Sequence, residues 1–191
     1  TEEQARTALA PFASEPERFG AVAWGEKRAH AERPGLSTTF EGGVLRGEKS
    51  YVTNFDRAAS LVVFAQSQVN EGWSGIDAYL VDPKSVTLGE RATTLGLDAA
   101  SFGSLRLDGA KGERLSRYEV GTPEHTRALC TFFAKNALIM AARAVGLSRA
   151  AFEVTREYVD TRKAFGKPIG HFQAVAFNVA DRAMDERGRD G

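Results

Sequence analysis

The densest polar chemistry in the chain lies in the run from Tyr158 to Gln173, which carries Arg162, Lys163, Ala164, Phe165, Gly166, Pro168, His171 and Phe172. A guanidinium, an ammonium and a side-chain amide gather around a glycine and a proline. Glycine tolerates positive φ, and proline lacks the donor a helix needs, so one helix ends here and a second begins at about His171. Arg162 and Lys163 fall in the last turn of the first helix, where positive charge opposes the negative end of the helix dipole. Taken alone, this is a helix C-terminus. A second stretch, Gly47 to Asn54, sets the flat ring of Tyr51 and the hydroxyl of Thr53 on either side of Val52. These three residue types favour strands, so alone the stretch is an ordinary strand.

Other chemistries find less support. His30, His125 and His171 show no spacing that pairs them with cysteine or carboxylates around a metal, and each is read as a surface or capping histidine. Gly-x-Ser-x-Gly and Walker-type loops are absent, and Gly42-Gly43 reads as a turn. The single cysteine, Cys130, sits in an apolar run and reads as a small buried hydrophobe in a protein of the reducing cytoplasm. Twenty-five basic and 25 acidic residues give a formal net charge of zero, which supplies no field to attract nucleic acid or an anionic membrane. No signal pattern opens the chain, and the apolar residues 137–142, bracketed by Lys135 and Arg143, fall short of a membrane span. A soluble protein is expected, cut from something longer.

The elements that must position these residues follow from patterning. A chain of 191 residues can bury a sizeable core. Residues 1–19 read as the end of a helix and a turn. From 20 to 121, short β-branched and aromatic runs alternate with glycine-bearing turns: Val44 to Leu45, Tyr51 to Thr53, Leu61 to Ala65, Ile76 to Val81, Val86 to Leu88 and Gly103 to Asp108. Strands at this spacing without intervening helices point to an antiparallel barrel or sandwich. Residues 122–191 read as long helices of an α-helical bundle, starting with Thr122 as N-cap and Pro123 at the first helical position. Around Leu129 to Ala134 and Ala137 to Leu147 the first helix is apolar on nearly every face, so it must be covered on several sides. The fold class is α+β.

The pattern Tyr-x-x-x-Arg-x-x-Phe-Gly-x-Pro-Ile-x-x-x-Gln at Tyr158 to Gln173 resembles the acyl-CoA dehydrogenase family at the start of its C-terminal helical domain. Gly47 to Asn54 resembles that family's Gly-x-Lys-x-Trp-Ile-Thr-Asn segment, and Thr94 to Ser101 with Leu105 to Asp108 resembles the strand region between the two. The resemblance covers nearly the whole chain. It implies FAD as cofactor, an acyl-CoA substrate and electron-transfer flavoprotein as acceptor. It also implies a homo-oligomer, dimer or tetramer, or a hetero-oligomer with an active paralogue. Trp24, Tyr51, Val52 and Thr53 would line the isoalloxazine, while Arg162, Lys163, Ala164, Phe172 and Gln173 would serve the FAD of a neighbouring subunit.

Departures from the family pattern carry equal weight. Where relatives have a Thr-Glu-Pro-x-Ala-Gly-Ser-Asp loop, this chain has Trp24 to Glu32, with bulk and charge in place of small hydroxyl residues and glycines. Ala137 stands where relatives place a substrate-proximal Arg, and Asn136 where some branches carry the catalytic base. The other location of that Glu lies beyond residue 191. α,β-Dehydrogenation needs a carboxylate to remove the activated proton. The resemblance therefore implies either a dehydrogenase whose base lies outside this chain or a catalytically silent structural subunit of the same lineage.

Overall fold

The computed structural model describes residues 3, 4, 6, 9–15, 17–27, 35–68, 72–97 and 99–187. It divides into two units, Thr1–Leu129 and Cys130–Gly191, so the division falls inside the long helix. His30, most of the loop following Trp24, and the chain end after Arg187 lie outside the described residues.

In the first unit a short helix, α1 (Ala10–Ser14), precedes the strands β1 (Phe19–Ala23), β2 (Thr39–Glu41), β3 (Val44–Thr53), β4 (Ala58–Gln66), β5 (Ile76–Val81), β6 (Thr87–Arg91) and β7 (Phe102–Arg114). They form one sheet in the order β1-β4-β2-β3-β7-β5, with β6 on β7 and a further β4–β5 pairing that closes a ring. The expected antiparallel arrangement is modified, because β1 runs parallel to β4 and β2 meets β4 in parallel at Thr39 and Gln66. Parallel neighbours need a long crossover, and the β2–β3 hairpin lies within the connection from β1 to β4. Gly42 and Gly43, at φ 58° and 84°, make the two-residue turn of that hairpin.

Period-2 alternation builds the core. On β7, Gly103, Leu105 and Leu107 turn inward while Arg106 and Asp108 face solvent. They meet Leu45, Val52, Leu61 and Val63, each at most 1 % exposed. Burial of such a side chain contributes roughly 1.5–3 kcal/mol, which makes this cluster the main source of the unit's stability.

The long helix α2 (Pro123–Thr161) starts where Thr122 accepts the His125 amide at 3.3 Å, as its N-cap role requires. His125 itself corrects the expectation of a surface residue. It is 1 % exposed, because the first turn packs its ring against the equally buried Asp77.

In the second unit α2 runs on to a two-strand hairpin of β8 (Lys163–Ala164) and β9 (Lys167–Pro168), a 3₁₀ turn at Ile169–His171, and α3 (Gln173–Arg187). Ser148, Phe152 and Val159 of α2 and Val175 and Val179 of α3 line a groove of about 620 Å³. Much of α2 finds no cover among the described residues: Leu138 is 71 % exposed, Ile139 59 % and Leu147 74 %. Cys130 is exposed for the same reason, against its expected burial. An 18-residue window of α2 reaches a mean hydropathy of 1.4 with none of it buried, so by length and composition the helix could cross a membrane. That stretch is longer than the six apolar residues weighed from sequence, though apolar core helices of water-soluble proteins have the same composition.

Candidate functional site

One candidate region, on the first unit, is a bulge in β3. Lys49 and Val52 face Leu105 and Gly103 of β7, so three steps along β3 match two along its partner. The surplus residue is taken up at Tyr51, whose φ is 57°. A bulky side chain held there costs roughly 1–2 kcal/mol, and such strain concentrates at functional positions. Lys49 and Ser50 consequently turn inward, Tyr51 is thrown outward at 73 % exposure, Val52 is buried at 1 %, and Thr53 is exposed. The ring and the hydroxyl thus stand on the surface with an apolar anchor between them.

The loop after β1 lies against this bulge. Ser50 donates its amide to the Gly25 carbonyl at 2.8 Å. A Cβ at Gly25 would sit 2.8 Å from the Ser50 carbonyl oxygen, so only glycine allows the approach. Half-buried Trp24 stacks on Trp73 at 5.8 Å and meets Phe64 edge-on at 5.2 Å. Beneath the loop, Lys49 Nζ donates to Glu26 Oε1 at 2.9 Å and to the Trp24 carbonyl at 3.3 Å.

A cleft of about 560 Å³ opens beside Tyr51, between Lys27 and Ser50 on one side and Glu90, Arg91, Ser104 and Arg106 on the other. Ser50 Oγ is buried there with no hydrogen-bond partner among the described residues. An unpaired buried hydroxyl costs about 1–3 kcal/mol, so the position favours a ligand that can hydrogen-bond to it.

A separate candidate region, on the second unit, is the corner between α2 and α3. Arg162 and Lys163 lie just past the helix rather than in its last turn: the Arg162 amide still reaches the Tyr158 carbonyl at 2.8 Å, and Lys163 already belongs to β8. Phe165 and Gly166, at φ 51° and 81°, close the hairpin with the primed-turn geometry that short hairpins favour. Arg162, Lys163 and Gln173 are exposed, while Ala164 and Phe172 are half-buried. Phe172 is packed by the Phe165 ring at 6.2 Å and by Lys167 Nζ at 4.5 Å. Ile169 donates its amide to the Arg162 carbonyl at 2.8 Å, which pins the corner at the guanidinium-bearing residue.

Of the nine residues singled out from sequence, Trp24, Tyr51, Val52 and Thr53 gather on the first unit and Arg162, Lys163, Ala164, Phe172 and Gln173 on the second. Sequence reasoning missed Glu26, Lys49 and Ser50 as parts of the site. The one available signal was a lysine at an inward strand position, which demands a buried partner. On the first unit an isoalloxazine ring fits what is present, an exposed ring and hydroxyl on a strained bulge with an unpaired buried hydroxyl nearby, and on the second the exposed Arg162 guanidinium at a fixed corner suits a phosphate group. Among the described residues no cluster of His, Cys, Asp and Glu could hold a metal ion.

Comparison with known proteins follows the same lines. Residues 126–188 match the family model described as acyl-CoA dehydrogenase, C-terminal domain. The chain is 29 % identical to the caffeyl-CoA reductase-Etf complex subunit CarC of Acetobacterium woodii, over 96 % of this chain and 49 % of that protein. It is 30 % identical to the mitochondrial short-chain specific acyl-CoA dehydrogenase of Bos taurus, over 96 % of this chain and 46 % of the relative. A crystal structure of acyl-CoA dehydrogenase from Geobacillus kaustophilus superposes with a TM-score of 0.83 at 28 % identity, covering 98 % of this chain and 51 % of the other. The chain spans about half the length of the curated relatives it matches.

Proposed function

We propose, from the premise that this chain belongs to the acyl-CoA dehydrogenase family, that it forms the flavin-facing part of an FAD-dependent enzyme acting on an acyl-CoA thioester. The observation that carries the reading is the β3 bulge, which exposes Tyr51 and Thr53 and buries Val52 between them. Bound FAD would supply the hydride acceptor for α,β-dehydrogenation. The Tyr51 ring gives a flat apolar wall for an aromatic cofactor, and the Thr53 hydroxyl gives a donor that orients it. Arg162 offers a planar fork suited to charge-assisted hydrogen bonds with a pyrophosphate, and Gln173 adds an amide at the same corner. The bare apolar surface of α2 favours an assembly, either homo-oligomeric or with an active paralogue. We further propose electron-transfer flavoprotein as the acceptor, in keeping with the Etf complex named for the Acetobacterium relative, and a cytoplasmic location.

A second reading, a catalytically silent subunit of the same lineage, is favoured by one detail of α2. Asn136 is exposed and donates its side-chain amide to the Phe132 carbonyl of its own helix at 2.9 Å. An amide so placed removes no proton from a thioester α-carbon. Colour separates the two. Purified intact protein that is yellow, and whose flavin band bleaches anaerobically with an acyl-CoA, supports the dehydrogenase; colourless protein that refuses added FAD supports the silent subunit.

A further inference from the structure

We infer that Glu26 and Lys49 are positioning residues for the flavin-facing wall: one buried ion pair ties the loop after β1 to the β3 bulge and so fixes Trp24 and Tyr51 together. The inference rests on the flavin reading for its purpose, while the device itself stands on geometry.

The Lys49 side chain is 0 % exposed and that of Glu26 9 %. Besides Lys49 Nζ at 2.9 Å, the Glu26 carboxylate accepts the Ser37 amide at 2.8 Å, the Thr38 amide at 2.9 Å and the Thr38 hydroxyl at 2.8 Å. One carboxylate therefore holds the segment entering β2 and the strand that carries the bulge. The Trp24 carbonyl adds a second acceptor for Lys49, and the Ser50–Gly25 amide bond lies directly above. Tyr51 begins two residues after Lys49, where the register with β7 shifts. Apolar side chains of similar volume would stabilise such an interior as well or better, so a saturated ion pair is best explained by the geometry it enforces.

Burial and pairing act on both charges. Burial pulls the Lys49 ammonium down to about 8 against the attraction of Glu26. Burial also pushes Glu26 upward, but the Lys49 charge and the hydrogen bonds from Lys49, Thr38 and Ser37 outweigh it and hold the carboxyl at about 2. The remaining shell is uncharged: two backbone amides, a hydroxyl and a carbonyl. Nearby Lys27 pairs with Glu48 at 2.8 Å on the exposed side, and Glu90 and Tyr51 act on Lys27. Loosening the loop would return Lys49 to water and to its higher ordinary value, so raising the pH does not by itself release the tie, and substitution of the pair is what tests it.

The test is the near-ultraviolet circular dichroism of the intact apoprotein at about pH 7, which reads the packing of its aromatic side chains, beside its FAD affinity. The variants are Lys49→Met and the double substitution Glu26→Leu with Lys49→Met, which removes both charges and stays folded if the single variant does not. The aromatic signal of the folded variants should differ from that of the wild type, because Trp24 and Tyr51 lose their fixed placement. FAD affinity of the double variant should fall about tenfold below that of the wild type, the equivalent of one pK unit of coupling. A folded double variant with the wild-type aromatic signal, or with wild-type FAD affinity, overturns the inference. If the wild type binds no FAD, the flavin reading fails, and the aromatic signal of the apoprotein still decides whether the pair sets the wall.

Discussion

His125 Nε2 stands 3.4 Å from Asp77 Oδ1 with both side chains 1 % exposed, so the first turn of α2 is held to β5 inside the first unit. The same carboxylate receives Arg114 Nε and the Ala78 amide. Neither ring nitrogen of His125 has a hydrogen-bond partner among the described residues, and the Asp77 carboxylate lies beside Nε2. Asp77→Asn removes that charge while Arg114 and His125 stay in place. We expect a loss of about 3 kcal/mol, in the range for breaking a buried pair, read as a lower urea midpoint at unchanged slope.

Acid should weaken the first unit through Glu26. Its folded pKa, about 2, lies below the ordinary 4.5, so the stability it contributes is complete above 4.5 and is lost as pH falls through 2. Allowing for partial solvent screening, the loss amounts to about 2 kcal/mol. Lys49 acts at the other end: its folded value of about 8 lies under the ordinary 10.5, so the unfolded chain binds more protons between these values and stability gains with rising pH there. Urea unfolding at pH 3 and 6, on wild type and Glu26→Gln, checks the acid limb; only the wild type should show the full difference.

Tyr51 should behave as a residue kept at the expense of stability. Tyr51→Gly relieves the positive φ, and the protein should unfold within about 1 kcal/mol of wild type or slightly later. FAD affinity should nevertheless fall by tenfold or more, because the flat wall is gone. Thermal melts and FAD titrations on the same samples separate the two effects, and Tyr51→Trp should preserve binding.

Cys130 reports the covering of α2. It is exposed within the chain, so a thiol reagent should label it at the rate of a free thiol in monomeric protein. Where sedimentation shows an assembly, labelling should slow by at least about tenfold if the apolar stretch is buried there. Equal rates in both states would leave that surface bare.

What could be read from sequence and what could not divides along physical lines. Leu61 to Ala65, Ile76 to Val81 and Gly103 to Asp108 announced their strands because alternation and β-branched residues act locally. The bend at Gly166 and Pro168 was legible for the same reason, although the β8–β9 hairpin inside it depends on positive φ at Phe165, which no residue preference foretells. β1 escaped notice because Phe19 to Ala23 holds only two buried positions, and its parallel partner is set by chain topology. The Glu26–Lys49 and Asp77–His125 pairs join residues far apart in sequence. Cys130 was misjudged because the long apolar helix finds no cover among the described residues.

The most direct test of the account is quenching of FAD fluorescence by the intact protein, wild type against Arg162→Ala. The account predicts saturable binding by the wild type and affinity about 10–100-fold weaker in the variant, the value of one charge-assisted contact at about 1.5–3 kcal/mol. Unquenched FAD with the wild type, or equal affinity in the two proteins, would contradict it.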